Sequence, residues 1–136
     1  DLCDADGVHL GRDDGSLREA RFILGKDKLI GASCYQSLDL ARAAQDAGAD
    51  YVAFGSFFPS PTKPDAGRAS VDLLRAAAKE IRLPLVAIGG ITLANAATLL
   101  DAGADSLAVL SALFEAPDIR AAAHELNLLF EVESDL

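Results

Sequence analysis

Two stretches of this chain repeat one another. Asp46-Ala47-Gly48-Ala49-Asp50 runs into Tyr51-Val52-Ala53-Phe54, and 55 residues on Asp101-Ala102-Gly103-Ala104-Asp105 runs into Ser106-Leu107-Ala108-Val109-Leu110. Each copy reads as a helix end, a glycine break and a buried strand. Each strand then empties into small polar residues, Gly55-Ser56 and Ser111. A helix that feeds a strand twice over implies parallel strands joined by helical crossovers. In such sheets ligands sit at the C-terminal ends of the strands. The repeat therefore marks the strand ends as the place for chemistry.

The rest of the chain follows the same rhythm. Strands are expected over Gly7–Leu10, Leu29–Ser33, Tyr51–Phe54, Leu85–Ile88 and Leu107–Leu110. Helices are expected over Leu17–Leu24, capped by Ser16, and from the Ser37 cap to Ala47, with Leu38, Ala41, Ala44 and Ala47 as the buried stripe. Further helices fall at Val71–Ile81, from Leu93 to Leu100, and from Asp118 to about Phe130. Five apolar strands buried on both faces fit parallel α/β packing. Two architectures satisfy this alternation: an open doubly wound sheet, or the last five units of an eight-unit barrel. At roughly 30 residues per βα unit, three more units would add roughly 90 residues. No linker or second domain interrupts the 136 residues, which form one domain.

Composition narrows the partners. Twenty-one Asp and Glu against twelve Lys and Arg give a net charge of -9, which disfavours nucleic acid and anionic membranes. An anionic substrate must then be held by a few local cations, backbone amides or a metal. Cys3 and Cys34 form no zinc or disulfide pattern, which suits a reducing cytoplasm. No apolar run is long enough to span a membrane. The chain starts at Asp1 and contains no Met, so an N-terminal portion is expected to precede it.

Several segments are candidates for a site. Pro59-Ser60-Pro61-Thr62-Lys63-Pro64 sits in a long loop, with two hydroxyls and an ammonium pinned between prolines. It suits a phosphate or pyrophosphate, or is simply a stiffened solvated loop. Gly89-Gly90-Ile91-Thr92 follows a strand and opens a helix, as a phosphate-binding turn or a turn that needs glycine for conformation alone. Leu110-Ser111 ends the next strand, and in barrels the loops after the last two strands often build a phosphate site. Asp14, beside Asp13, is a candidate Mg²⁺ carboxylate, or an ordinary partner of a helix N-terminus. Ser33 at a strand end can hydrogen-bond a ligand. Cys34 is expected to be a buried thiol, His9 a satisfied core histidine and His124 a surface residue. No Ser-His-Asp or Cys-His arrangement stands out.

Taken in order, these segments resemble the thiamine-phosphate synthase family. The matching pieces are Ala5-Asp6-Gly7-Val8-His9-Leu10-Gly11 with Asp14, Gly31-Ala32-Ser33, Gly48-Ala49-Asp50-Tyr51-Val52, and Gly55 with Phe58-Pro59-Ser60-Pro61-Thr62-Lys63. They continue with Ala87-Ile88-Gly89-Gly90-Ile91-Thr92 and Asn95, then Gly103-Ala104-Asp105 and Ser111. The combination is specific, although single glycine turns are not. The resemblance covers all but the last ten or so residues.

What the resemblance implies is a (β/α)₈ barrel of the TIM type, of which this chain holds roughly the last five βα units. The implied reaction joins hydroxymethylpyrimidine pyrophosphate to hydroxyethylthiazole phosphate and releases pyrophosphate. Its route is dissociative. Pyrophosphate departs with its charge held by cationic side chains and Mg²⁺, leaving a pyrimidine methyl cation for the thiazole nitrogen to attack. By position, Asp14 is the implied Mg²⁺ ligand and Ser33 the implied pyrophosphate contact. Ser60, Thr62 and Lys63 match a Thr-x-Thr-Lys segment, with Ser in place of the first Thr. Gly89, Gly90, Leu110 and Ser111 are the implied holders of the thiazole phosphate. Tyr35 stands where many members have His two residues after the serine, and activity is expected to survive this. The family's Gln-x-Arg-x-Lys segment and Asn-Asp pair, on earlier strands, have no counterpart within these residues. The chain by itself is expected to be poorly active and prone to self-association through open strand edges. A thiazole tautomerase of the same fold, or a non-catalytic phosphate-binding half-barrel, are the alternatives. The tautomerase does not need the pyrophosphate loop.

Overall fold

The computed structural model describes residues 2–61, 65 and 67–134. The elements in chain order are β1 (Gly7–Leu10), α1 (Leu17–Leu24), β2 (Leu29–Tyr35), α2 (Leu38–Asp46), β3 (Tyr51–Phe54) and α3 (Val71–Glu80). They continue as β4 (Leu85–Ile88), α4 (Ala96–Asp101), β5 (Ser106–Ala108), α5 (Ser111–Phe114) and α6 (Ile119–Ser134). All strand pairs are parallel, and the sheet order is β1-β2-β3-β4-β5. This order decides between the two architectures. A doubly wound sheet reverses its order at a switch point, and this sheet never reverses. Four successive right-handed crossovers place their helices along one face, as in the wall of a barrel.

The repeated segments owe their likeness to two local devices. Gly48 and Gly103 have φ of 93° and 113°, the left-handed conformation that glycine adopts without a Cβ penalty. Gly48 N–H bonds the carbonyl of Gln45 and Ala49 N–H that of Ala44; Gly103 and Ala104 bond Leu100 and Leu99 in the same way. These are paired Schellman closures of α2 and α4. The second Asp of each copy then clamps the neighbouring strand. Asp50 Oδ2 accepts Ile30 N–H at 2.8 Å while its own N–H bonds the Ile30 carbonyl at 2.7 Å. Asp105 repeats this on Leu85 with both distances at 2.8 Å.

The two glycines differ in what surrounds them. A Cβ on Gly48 would meet open space, whereas one on Gly103 would lie 2.6 Å from Ala78 Cβ on α3. Gly48→Ala is therefore expected to cost about 1–2 kcal/mol from conformation alone. Gly103→Ala adds a packing clash and is expected to cost about 2–4 kcal/mol. Denaturant melts of the two variants check this, and equal losses would contradict the Ala78 contact.

Arg21 of α1 reinforces the first clamp. It donates to Asp50 Oδ2 at 2.7 Å and to the carbonyls of Gly25, Lys28 and Gly48. Burial works to raise the Asp50 carboxyl, but the hydrogen bonds from Arg21 and from Ile30 N–H outweigh it and hold the group below its usual value. A carboxyl whose folded value lies below its unfolded one stabilises the fold above about pH 4 and ceases to do so as pH falls through the folded value. Asp50→Asn should therefore be less stable than the parent at pH 7, with the gap narrowing towards pH 3. A gap independent of pH would rule out this role.

The core lies between the sheet and the helices. Ile30, Ala32, Cys34, Val52, Phe54, Leu85 and Ala87 point to that side and are buried. They meet Ala41 and Ala44 of α2, Leu74 and Ala77 of α3, and Ala96 and Leu99 of α4. Arg42 on α2 pairs with both oxygens of Glu80 on α3, at 2.7 and 2.6 Å, which fixes the two helices side by side. Cys34 is fully buried, and burial pushes its thiol up to about 11, so it is an inert core residue as expected.

The expectation of strands buried on both faces is corrected. The opposite face carries His9, Leu29, Ile88 and Ser106, all exposed, with Ser33, Tyr51 and Val86 half-buried. On that face only Gly31 and Ala53, at the centre of the sheet, are buried. Three boundaries also shift. β2 runs on to Tyr35, and β5 covers Ser106–Ala108 because Leu110 already leads into α5, a short helix absent from the sequence reading. α4 starts at Ala96, not Leu93, because Thr92–Asn95 closes a turn in which Asn95 Oδ1 accepts Thr92 N–H at 2.8 Å. Among the described residues no helix is long and apolar enough to cross a membrane.

Candidate functional site at the strand ends

The C-terminal ends of β2 to β5 surround one cavity of about 710 Å³. Its lining includes Ser33, Ser60, Gly89, Gly90, Leu110 and Ser111, so six of the nine sequence candidates meet in one place. Asp14 is not among the lining residues. Thr62 and Lys63 lie outside the described residues.

Gly89 and Gly90 have φ of 105° and 63°. A Cβ on Gly89 would strike Ser56, and one on Gly90 would lie 2.5 and 2.6 Å from the carbonyl oxygens of Pro59 and Phe58. Both glycines are thus required by conformation and by space. The loop after β3 is tied against them, since Phe57 N–H bonds the Ile88 carbonyl and Phe58 N–H the Gly89 carbonyl. Asn95 Nδ2 donates to the Gly90 carbonyl at 3.1 Å. Gly90 does not open α4 directly, as the sequence reading had it, because the Thr92–Asn95 turn intervenes. The tie brings Ser60 to the same cavity as Ser111.

Strand register builds a second group. His9, Gly31 and Tyr51 are neighbours across β1, β2 and β3. A Cβ on Gly31 would overlap the Tyr51 ring, so the glycine gives that ring its place. Tyr51 stacks on His9 with centroids 5.6 Å apart, and its hydroxyl lies 2.9 Å from His9 Nδ1. His9 Nε2 is 2.7 Å from Ser33 Oγ. With the imidazole proton on Nε2, that nitrogen donates to Ser33 Oγ and the tyrosine hydroxyl donates to Nδ1. The Ser33 hydroxyl proton is then free to donate to an anion. His9 is satisfied as expected, but it is exposed on the open face rather than in the core. His124 is exposed, as expected.

Around the end of β1, the Asp14 carboxylate accepts Gly11 N–H at 2.6 Å. It keeps one oxygen clear of that bond, on an exposed turn. Among the described residues no three His, Cys, Asp or Glu side chains gather as a metal cage. One carboxylate is nevertheless enough of a protein contribution for Mg²⁺, which takes its remaining ligands from water and substrate phosphates. Beside it, the Tyr35 hydroxyl accepts Arg12 N–H at 2.9 Å. Tyr35 has φ of 52° at a register shift in β2, a conformation costly for a residue with a Cβ and characteristic of sites. Arg12, Gln36 and Ser56 also line the cavity. Ser56 is marked in the sequence by its place at the end of β3, whereas Arg12 and Gln36 carry no local signal, because strand pairing alone brings them there.

Residues 2–113 match the family model described as thiamine monophosphate synthase. The chain belongs to this family. It is 75% identical over 135 residues to the thiamine-phosphate synthase of Thiobacillus denitrificans, covering 99% of this chain and 64% of that protein. It is 61% identical over 127 residues to that of Methylobacillus flagellatus, covering 93% and 60%. Among solved structures it is similar to the thiamine phosphate pyrophosphorylase from Pyrococcus furiosus, with a TM-score of 0.85 and 41% identity over 94% of this chain and 60% of that one. The 3-hexulose-6-phosphate synthase from Salmonella typhimurium, at 24% identity and TM-score 0.70 over 94% of this chain and 63% of that one, shares the fold. The chain thus spans about three-fifths of the length of the family relatives it matches.

Proposed function

We propose that the protein carrying this chain is a thiamine-phosphate synthase. It would transfer the hydroxymethylpyrimidine group from its pyrophosphate ester to hydroxyethylthiazole phosphate and release pyrophosphate. The observation that carries the reading is the convergence of Ser33, Ser60, Gly89, Gly90, Leu110 and Ser111 on one cavity, in a chain of this family. Those groups form two anion stations. Ser33 and Ser60, with Thr62 and Lys63, would hold the pyrophosphate. The turns Gly89-Gly90 and Leu110-Ser111 would hold the thiazole phosphate through backbone amides, as loops after late barrel strands often do.

Asp14 would hold Mg²⁺ against the pyrophosphate, and the metal would neutralise part of the leaving charge. The remaining work falls to the chain itself. Ser33, its oxygen held by His9, would donate to a pyrophosphate oxygen. Lys63 would add positive charge as the C–O bond breaks, where the charge to be stabilised is greatest. The cavity would keep the thiazole nitrogen facing the pyrimidine methyl carbon and limit water there. Two free thiols suit a reducing cytoplasm, and the substrates are small phosphorylated molecules.

Mg²⁺-dependent binding of inorganic pyrophosphate by the intact native protein separates this reading from a tautomerase, which would need only the thiazole phosphate station. Titration calorimetry should show pyrophosphate binding that disappears with chelator. Thiazole phosphate binding without any pyrophosphate binding would favour the tautomerase.

A further inference from the structure

We propose that Arg12 is a diphosphate-binding residue at the mouth of the site, oriented for this by Tyr35. This inference rests on the synthase reading above and adds a cation to its pyrophosphate station.

Arg12 follows β1 directly after Gly11 and lines the strand-end cavity together with Ser33 and Tyr35. It also lines a smaller cavity alongside, again with Ser33 and Tyr35. Its guanidinium carbon lies 4.4 Å from the centroid of the Tyr35 ring, within the range of a cation–π contact. The same tyrosine accepts the Arg12 backbone N–H at 2.9 Å. One residue thus fixes both the main chain and the side chain of Arg12. The left-handed backbone of Tyr35 at the β2 register shift accompanies this placement.

The guanidinium lies over the tyrosine ring, and among the described residues no carboxylate takes its N–H groups. Arg21, Arg42 and Arg75 are paired with carboxylates. Among the described residues Arg12 has no ion pair, although Asp13 and Asp14 follow it in sequence. The Asp14 carboxylate is engaged instead by Gly11 N–H. Other basic side chains are unpaired too, but Arg12 is the arginine that lines the strand-end cavity, in a chain with nine excess negative charges. A planar guanidinium fork binds phosphate oxygens in pairs, and the contact with Tyr35 lowers the ordering cost of doing so.

Position in the sheet selects the ligand. Arg12 lies at the end of β1, beside Asp14 and Ser33. The thiazole phosphate station lies after β4 and β5, at the other side of the sheet. The group that Arg12 would meet is therefore the diphosphate.

The test compares the intact native protein with Arg12→Ala, Arg12→Lys and Tyr35→Leu. It measures the affinity for inorganic pyrophosphate in Mg²⁺ and KM for both substrates. Arg12→Ala should weaken pyrophosphate binding and raise KM for the pyrimidine diphosphate by about 10- to 100-fold, with KM for thiazole phosphate unchanged. Arg12→Lys should recover part of the loss, and Tyr35→Leu should shift the same two quantities by less. Unchanged pyrophosphate affinity in Arg12→Ala, or an equal loss for both substrates, would overturn the proposal. Parent protein that binds no pyrophosphate would instead overturn the synthase reading on which it rests.

Discussion

Gly90→Ala is expected to lower the unfolding free energy by about 2–5 kcal/mol and to abolish tight binding of thiazole phosphate. Two costs add. The backbone φ of 63° is left-handed and penalises any Cβ by roughly 1–2 kcal/mol. The new methyl would also lie 2.5 Å from the Pro59 carbonyl oxygen and 2.6 Å from that of Phe58. Those are backbone atoms. Their loop is held by hydrogen bonds from Phe57 and Phe58 to Ile88 and Gly89, so it cannot move aside without breaking the tie that brings Ser60 to the cavity. Gly15→Ala is the control, since its φ of 95° is also left-handed but a Cβ there meets nothing within 4 Å. Denaturant melts should show Gly90→Ala as the more destabilised of the two. Equal losses would mean that the loop yields freely and the tie is weak.

Lys63→Ala in the intact protein is expected to lower kcat by about 10²–10³-fold, the usual cost of removing one group that stabilises developing charge. KM for thiazole phosphate should change little, because the proposed station for that substrate is the Gly89-Gly90 and Leu110-Ser111 turns. The separation of kcat from KM is the informative part. An ammonium that only attracted anions in general would alter both phosphorylated substrates together. Turnover unchanged by Lys63→Ala would remove the residue from the mechanism.

The sheet was legible in the sequence because its signals are local. The Gly48 and Gly103 closures, the Ser16 and Ser37 caps and the apolar strand runs all act within a few residues. The strand ends were legible for the same reason, and six candidate residues meet in one cavity as a result. What the sequence hid depends on register. His9, Gly31 and Tyr51 are spread over more than 40 residues, and parallel pairing alone sets them in a row. Arg12 and Tyr35 meet across β1 and β2 in the same way. Short α5 escaped because four residues carry too little periodicity to read. The open face is not legible because Val86, Ile88 and Ala108 look apolar in sequence whether or not anything covers them.

The account stands or falls most directly on product formation. The intact native protein, given hydroxymethylpyrimidine pyrophosphate, hydroxyethylthiazole phosphate and Mg²⁺, should yield thiamine phosphate and pyrophosphate in equal amounts. Omitting Mg²⁺ or the thiazole should stop the coupling. A folded protein that binds thiazole phosphate yet forms no thiamine phosphate would contradict the synthase reading.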